Sequence, residues 1–260
     1  MSGGGRLGAA RDRDAAAAPA RRRGADFLNS HGDELARRRA AALLGELPAR
    51  EAVAALGAEP ESLEAIGRLL RVCNDLRALA EPELGRAAAR LEALQSADGS
   101  WSASAQEPLD ARLQRTGNLA GHLSKTRFAR PETLEAAGDF LAVHFSPERL
   151  QGFQAENIAA YAHFFANCPH AAADEVLQWC GRELERGFRA RAFDAACTAR
   201  VLVDCDAHSL PGGRTDAAEV AVALVSEQSL DGSWGPPGSP VGERIEPTLA
   251  ALTALVRWGM

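Results

Sequence analysis

Long apolar runs and lysine are both scarce in this sequence. No segment reaches the roughly 18 consecutive apolar residues that a membrane-spanning helix needs, so we expect no integral membrane segment. Lys125 is the single lysine among 29 Lys and Arg residues, and these are outnumbered by 35 Asp and Glu residues. The net charge of −6 gives the chain no general attraction to phosphate backbones, so nucleic-acid binding is not expected.

Cysteine is present in a number that does not suggest a disulfide framework. The five cysteines are odd in count and lack close pairing. Arg21, Arg22 and Arg23 are followed by no apolar segment of the kind that an export signal requires. The sequence therefore predicts free thiols in a reducing cytoplasm.

Residues that favour strands are also sparse, whereas Ala and Leu are abundant, and this composition favours helices. Residues 1–26 are mainly Gly, Ala, Arg and Asp and predict a disordered tail, while residues 27–260 predict one all-α domain. Gly and Pro interrupt the helical periodicity. The predicted helices are 34–45, 61–79, 82–95, 106–123, 131–144, 154–167, 172–186, 191–206, 213–228 and 244–257.

A seven-residue motif occurs twice, 133 residues apart. Residues 95–101 read Gln-Ser-Ala-Asp-Gly-Ser-Trp, and residues 228–234 differ only at the third position. We assign two weaker copies between them, ending at Gly152-Phe153 and Gly187-Phe188, which gives repeats of about 44 residues. Asp-Gly turns the chain after a helix, Trp packs across helix ends, and the Gln amide satisfies exposed backbone groups.

The motif resembles the QW motif of squalene–hopene cyclases and oxidosqualene cyclases, which is found in weaker form in protein prenyltransferase β subunits. The resemblance covers about residues 60–260. It implies an α/α toroid, in which α-hairpins close into a barrel of inner and outer helices around a cavity for an apolar polyene or isoprenoid. An open α-solenoid is the architectural alternative.

The resemblance also implies where a catalytic acid would lie. Proton-initiated terpene cyclases carry a DxDD motif at an inner-helix start, but the similar stretch here keeps only Asp194, because Ala196 stands where the proton donor would be. Aligned inner-helix starts nevertheless repeat a carboxylate, at Glu107, Glu156, Asp194 and Glu246. Glu246 is the preferred proton donor for an acid-assisted cyclisation or isomerisation, with Asp194 as its helper. Helix capping by these acids is the alternative interpretation.

Three further residues are candidates for the cavity wall. Tyr161 and His163 lie on a predicted inner helix, and Cys197 lies at the start of another. Ordinary core positions are the alternative for all three. Asp204, Cys205 and His208 offer metal-ligand types, but their spacing departs from the prenyltransferase zinc site. The sequence therefore predicts no metal and no other cofactor.

These features leave three functions open. The first is a terpenoid-cyclase-like protein that acts on or binds an apolar isoprenoid or polyene. The second is a non-catalytic toroid that binds lipid or docks a protein, and the third is a degenerate prenyltransferase β-like subunit. A homodimer or a helical partner protein is compatible with each of them.

Overall fold

The computed structural model describes residues 4–57, 60–148, 150, 155–236 and 238–260, with side chains from residue 16 onward. Helices dominate these described segments, which contain no β-strand beyond one isolated bridge between Ser209 and Asp216. The helices are α1 Gly4–His31, α2 Glu34–Leu43, α3 Ala49–Ala54, α4 Leu63–Asp75, α5 Pro82–Leu94, α6 Leu109–Ser124, α7 Pro131–His144, α8 Ala155–Asn167, α9 Ala173–Arg189, α10 Ala195–Asp204, α11 Ala217–Glu227 and α12 Val241–Arg257.

Local signals explain most helix starts. Side chains at four N-cap positions accept a hydrogen bond from the backbone N–H three residues later, and these residues are Asp33, Ser62, Asp194 and Asp216. Proline occupies the first position of α5 and α7, where its missing N–H leaves no hydrogen bond unmade. The ten helices predicted from sequence are all present. Of these, the helix at 131–144 has its predicted bounds.

The even-numbered and odd-numbered helices differ in burial. Eight consecutive residues of α12, from Thr248 to Leu255, are buried, and α8 and α10 are buried on most sides. By contrast, α9 buries one face, through residues such as Val176, Trp179 and Leu184. A helix buried all round lies inside a molecule, and an amphipathic one lies at its surface.

Contacts between helices follow the same alternation. From α4 to α12, each even-numbered helix packs against the next even-numbered one, and α12 also packs against α2. Helices α5, α7, α9 and α11 each contact an even-numbered neighbour, and α1 contacts α2, α11 and α12. The first two helices and the last two are therefore packed together. One large apolar cluster extends from Ala17 to Leu255.

The two motif copies form matching corners. Trp101 and Trp234 are fully buried, and their indole N–H groups donate to the carbonyls of Leu91 and Leu224 at 2.8 and 2.7 Å. The backbone N–H of each Trp donates to a threonine hydroxyl of the following even-numbered helix, at 3.1 Å in both corners. The predicted role of the motif as a staple between helix ends is confirmed.

Each corner also fastens a further odd-numbered helix. The Gln95 amide donates to the carbonyl of Thr133 in α7, and the Gln228 amide donates to that of Ala20 in α1, both at 2.9 Å. Gly99 has a φ of +85°, and a Cβ there would lie 2.0 Å from the carbonyl oxygen of Ala136. The backbone of α7 can therefore approach this corner closely only because the residue is glycine. Helix α1 therefore packs against the second corner in the same way that α7 packs against the first corner.

The structure differs from the sequence prediction at the N-terminus. Residues 1–26 predict a disordered tail, whereas helix α1 begins at Gly4, and its residues Ala17 and Ala20 are buried. Its small side chains allow a close approach to the second corner, since a Cβ on Gly24 would lie 2.7 Å from the Trp234 ring. The apolar surface against which α1 packs is thus supplied by other parts of the chain. The composition of residues 1–26 alone therefore does not reveal that helix α1 forms.

Two smaller predictions also differ. Pro247 lies inside α12 and not in its first turn, because the helix begins at Val241 after the N-cap Pro240. Gly187 and Phe188 lie in α9, and the ring packed against Gly187 is that of Phe193, so this weaker motif copy does not form the assigned corner. The other weaker copy, at Gly152-Phe153, falls outside the described residues.

None of the helices in the described segments combines the length and apolar character needed to cross a bilayer.

Candidate functional site

Two adjoining cavities lie among the even-numbered helices. The larger has a volume of about 540 Å³ and is bounded by α2, α4, α6 and α12. The smaller has a volume of about 350 Å³ and is bounded mainly by α8, α10 and α12. Both volumes fall within the range of small-molecule sites. Arg71, Asn118 and Glu246 line both cavities and therefore lie at their junction.

The smaller cavity brings together three of the four predicted carboxylates. Glu156, Asp194 and Glu246 line it, whereas Glu107 does not. The rest of its wall has a small, apolar part, formed by Ala155, Ala159, Ala196, Cys197, Val201, Pro247 and Ala250, and a polar part, formed by Arg71, Gln114, Asn118, Arg200 and Asp204. The repeat alignment thus located three acids of one cavity from sequence.

The geometry of Asp194 and Glu246 does not favour proton donation. Asp194 accepts the Cys197 N–H at 2.7 Å and caps α10. Glu246 pairs with Arg39 at 2.8 Å, and its side chain is 62% exposed. A carboxylate that is solvated and paired with a guanidinium is not the desolvated acid that alkene protonation requires.

Glu107 fixes the loop before α6. Its carboxylate pairs with Arg115 at 2.5 Å and accepts the Ala103 N–H at 2.7 Å and the Ser102 hydroxyl at 3.0 Å. The hydrogen bond from Arg115 lowers the pKa of this carboxyl, and the two local hydrogen bonds add to the effect. Glu107 is therefore an ionised loop anchor, while its partner Arg115 lines the larger cavity.

The three predicted wall residues have different positions. Cys197 lines the smaller cavity, and burial raises the pKa of its thiol to about 12, with Asp194 and Glu156 acting in the same direction. Such a thiol is a poor nucleophile at neutral pH. Tyr161 packs in the core with its ring between Phe145 and Phe165. His163 is fully buried behind His122, and it is His122 that lines the larger cavity.

A buried ion network lies between the cavities and the ends of α4 and α10. Arg39 donates to Asp75 at 3.0 Å, and Arg200 donates to the other oxygen of Asp75 at 2.8 Å. Arg200 also holds both oxygens of Asp204, so each of its nitrogens has a carboxylate partner. These alternating charges satisfy one another, which is the condition for burying them.

Arg71 is not part of this paired network. Of the arginines that line the two cavities, Arg71 alone makes no hydrogen bond or ion pair with a residue that the structure describes. The nearby charge of Arg200, followed by burial, lowers its pKa. A guanidinium remains protonated even so. The junction of the cavities therefore presents a guanidinium without a direct hydrogen bond to a described residue, and the charges of Asp204, Asp75 and Glu246 act on it from a longer distance.

Sequence reasoning missed Arg39, Arg71, Asp75, His122 and Arg200. A signal was available for Arg200, which interrupts the apolar run from Ala195 to Val203, since a charged residue on an otherwise buried helix indicates a specific partner. Arg71 carried no such signal, because arginines are common along this chain. Only the three-dimensional arrangement distinguishes it from arginines on solvated faces.

Of the sequence candidates Asp204, Cys205 and His208, Asp204 lies in a group of metal-ligand types among the described residues. His208 is exposed and Cys205 is buried, and burial raises the pKa of the Cys205 thiol far above its ordinary value. Asp204 instead lies beside His122 and His163, and one ligand atom from each of the three residues falls within 4.8 Å of the others. Among the described residues, this is the group that could hold a metal ion.

No family model, curated protein or solved structure matches this chain.

Proposed function

We propose that the helices form an α/α toroid of the terpenoid-cyclase and prenyltransferase type, with the even-numbered helices inside. The order of the helix contacts and the return contacts of α1 and α2 with α12 support a closed arrangement. The equivalent corners at Trp101 and Trp234 support a repeat of the QW type. The two adjoining cavities then correspond to the bore of the barrel.

We further propose that this bore binds an amphiphilic anion, namely a short isoprenoid-like chain that carries a phosphate or carboxylate group. The observation that supports it is the unpaired Arg71 guanidinium at the junction of the cavities. Arg71 is half-buried, and its guanidinium N–H groups can form charge-assisted hydrogen bonds with an anionic head group. The charge of Arg200 favours a bound negative charge beside Arg71, whereas the charges of Asp204, Asp75 and Glu246 oppose it.

The smaller cavity suits the chain of such a ligand. The apolar part of its wall consists of Ala, Val, Cys and Pro, whose small side chains help to leave a slot of about 350 Å³. Asn118 lies beside Arg71 at the junction and offers an amide that can donate to the same head group. Among the described residues, the lining of the smaller cavity includes no aromatic side chain, so the proposal is for a binding site and not for a cavity that stabilises carbocations.

Native mass spectrometry of protein purified from its own host tests this function. We expect a co-purified lipid of one class whose fragments include a phosphate or carboxylate head. Arg71→Gln should lose most of that ligand, whereas Arg90→Gln, at an exposed position on α5, should retain it. A neutral polyene bound equally by wild type and Arg71→Gln would contradict the proposal and favour a purely apolar ligand.

A further inference from the structure

Two buried histidines meet where α6 contacts α8. The rings of His122 and His163 lie edge to face with centroids 4.2 Å apart, and both side chains are at most 2% exposed. All four of their ring nitrogens lack a hydrogen-bond partner among the described residues. Buried polar atoms in proteins are nearly always bonded, so four unpaired nitrogens at one place require an explanation.

The sequence builds this contact with small residues. A Cβ on Gly117 would lie 2.5 Å from the carbonyl oxygen of Ala160, and one on Gly121 would lie 2.7 Å from the His163 ring. Glycine at these two positions therefore allows α6 and α8 to approach until their histidines touch. Asp204, at the end of α10, completes the group, whose ligand atoms lie within 4.8 Å of one another.

We infer that His122, His163 and Asp204 bind one divalent transition-metal ion of the zinc class. In a four-coordinate site with metal–ligand distances of about 2.0–2.2 Å, the ligand atoms lie about 3.3–3.6 Å from one another. Small side-chain rotations would bring the three ligand atoms from their present separations to these distances. Three protein ligands leave a further coordination position. His122 lines the larger cavity, so that position faces space that a water molecule or a ligand can reach.

The ligands are held in the protonation states that a metal requires. Burial lowers the pKa of His163 to about 3 and that of His122 well below its ordinary value, so both imidazoles are neutral. Burial alone would raise the pKa of the Asp204 carboxyl, but the charge of Arg200 and its hydrogen bonds hold it well below its usual range. Metal ligands must be deprotonated, and these three groups already are at neutral pH.

Arg200 serves as the outer partner of the site. It donates to both oxygens of Asp204 and is itself fixed by Asp75 at 2.8 Å, which orients the carboxylate without using all of its lone pairs. Ligating carboxylates in proteins are commonly hydrogen-bonded in this way. The ring of His163 is positioned by the close contact with Gly121.

The local charge selects the kind of metal. Asp204 favours a positive charge on His163, whereas Lys125, Arg200 and Arg71 disfavour it. A cation here must therefore gain its affinity from imidazole nitrogens, as Zn²⁺ and Co²⁺ do. Mg²⁺ and Ca²⁺ prefer oxygen ligands and should not bind. The inference does not rest on the proposed anionic ligand.

Titration of the full-length, chelator-treated protein tests the site with Zn²⁺ and Co²⁺ as probes. We expect one ion per chain, visible d–d absorption of bound Co²⁺, loss of that absorption when Zn²⁺ is added, and a Tm that rises with free Zn²⁺. His122→Ala should weaken binding by more than about tenfold and should fold, because His122 borders a cavity. His163→Gln, which keeps a side chain of similar size, provides a second variant.

His208→Ala is the matched control, since it removes an exposed histidine near Asp204 in sequence and should leave binding unchanged. Absence of stoichiometric binding in wild type would overturn the inference. So would binding that survives both His122→Ala and His163→Gln. Loss of binding in His208→Ala alone would assign the metal to another group of residues and would overturn it equally.

Discussion

At the scale of single residues, the clearest device is the tryptophan of each corner. Trp101 and Trp234 are buried, and each closes a hydrogen bond to the end of the preceding helix. We expect Trp101→Ala to lower the free energy of unfolding by about 3–5 kcal/mol, measured by denaturant titration. Leu230→Ala lies in the second corner with its side chain fully exposed and should change it by less than about 0.5 kcal/mol.

An unchanged unfolding free energy in Trp101→Ala would contradict the staple. Trp234→Ala should have an effect of similar size, because its hydrogen bonds match those of Trp101. A large difference between the two variants would show that the corners, although alike in geometry, contribute unequally to the free energy of unfolding.

Glu107 gives a pH-dependent prediction at the same scale. Its pKa is lowered in the folded protein, chiefly by the hydrogen bond from Arg115, below the ordinary value of 4.5. Its contribution to stability is therefore complete above about pH 4.5 and is lost as the pH falls through the lowered folded value. Glu107→Gln should reduce stability at pH 7 by about 1–2 kcal/mol and make the loss of stability below pH 4.5 less steep.

Denaturant titrations from pH 7 to pH 3 measure both effects. Glu156→Gln is the control for stability at pH 7, because Glu156 is exposed and makes no hydrogen bond or ion pair with a described residue. Equal acid slopes in wild type and Glu107→Gln would contradict the role assigned to Glu107.

Individual residues were predictable from sequence where a motif repeats. The corner tryptophans and glutamines could be assigned because the same spacing occurs twice. The repeat alignment also brought Glu156, Asp194 and Glu246 to one cavity. It could not reveal that Glu246 is paired with Arg39, or that Arg71 makes no hydrogen bond or ion pair with a described residue, because these depend on residues distant in sequence.

At the scale of helices, Gly and Pro punctuation together with periodicity located ten of the helices in the described segments. The helices that sequence reasoning missed are α1 and α3. Helix α3 has only six residues, and α1 is rich in Gly, Ala and Arg. A local pattern predicts a helix when the helix's own residues supply a large apolar face. Helix α1 has no such face and instead packs its small residues against Trp234 and α12.

The packing of α1 leads to a prediction about its register. Ala20 is fully buried, and its carbonyl accepts the Gln228 amide, whereas Ala18 is exposed. Ala20→Glu should lower the unfolding free energy by several kcal/mol, on the order of 3, because it buries an unpaired charge. Ala18→Glu should change it by less than about 0.5 kcal/mol. Hydrogen exchange along α1 should accelerate only in Ala20→Glu, and equal exchange in both variants would contradict the docking of α1.

At the scale of the whole molecule, the return contacts and the interior charges matter most. Helices α1 and α2 contact α12, so the N-terminal and C-terminal parts of the chain depend on each other. The interior holds Arg39, Arg200, Asp75 and Asp204 as a paired network. Composition and net charge are averages over the whole chain, so they do not predict which charged side chains are buried together in this network. They also do not predict that Arg71, beside this network, makes no hydrogen bond or ion pair with a residue that the structure describes.

The central claim is that the cavities bind an anionic amphiphile through Arg71, and a matched pair of ligands tests it most directly. Isothermal titration calorimetry would compare geranyl phosphate with geraniol, in wild type and in Arg71→Gln. We expect wild type to bind the phosphate more tightly than the alcohol by about 10- to 100-fold, which corresponds to the 1.5–3 kcal/mol of a charged hydrogen bond. Arg71→Gln should lose most of this preference while its affinity for geraniol stays the same. A phosphate preference that persists in Arg71→Gln, or equal affinity of wild type for the two ligands, would contradict the account.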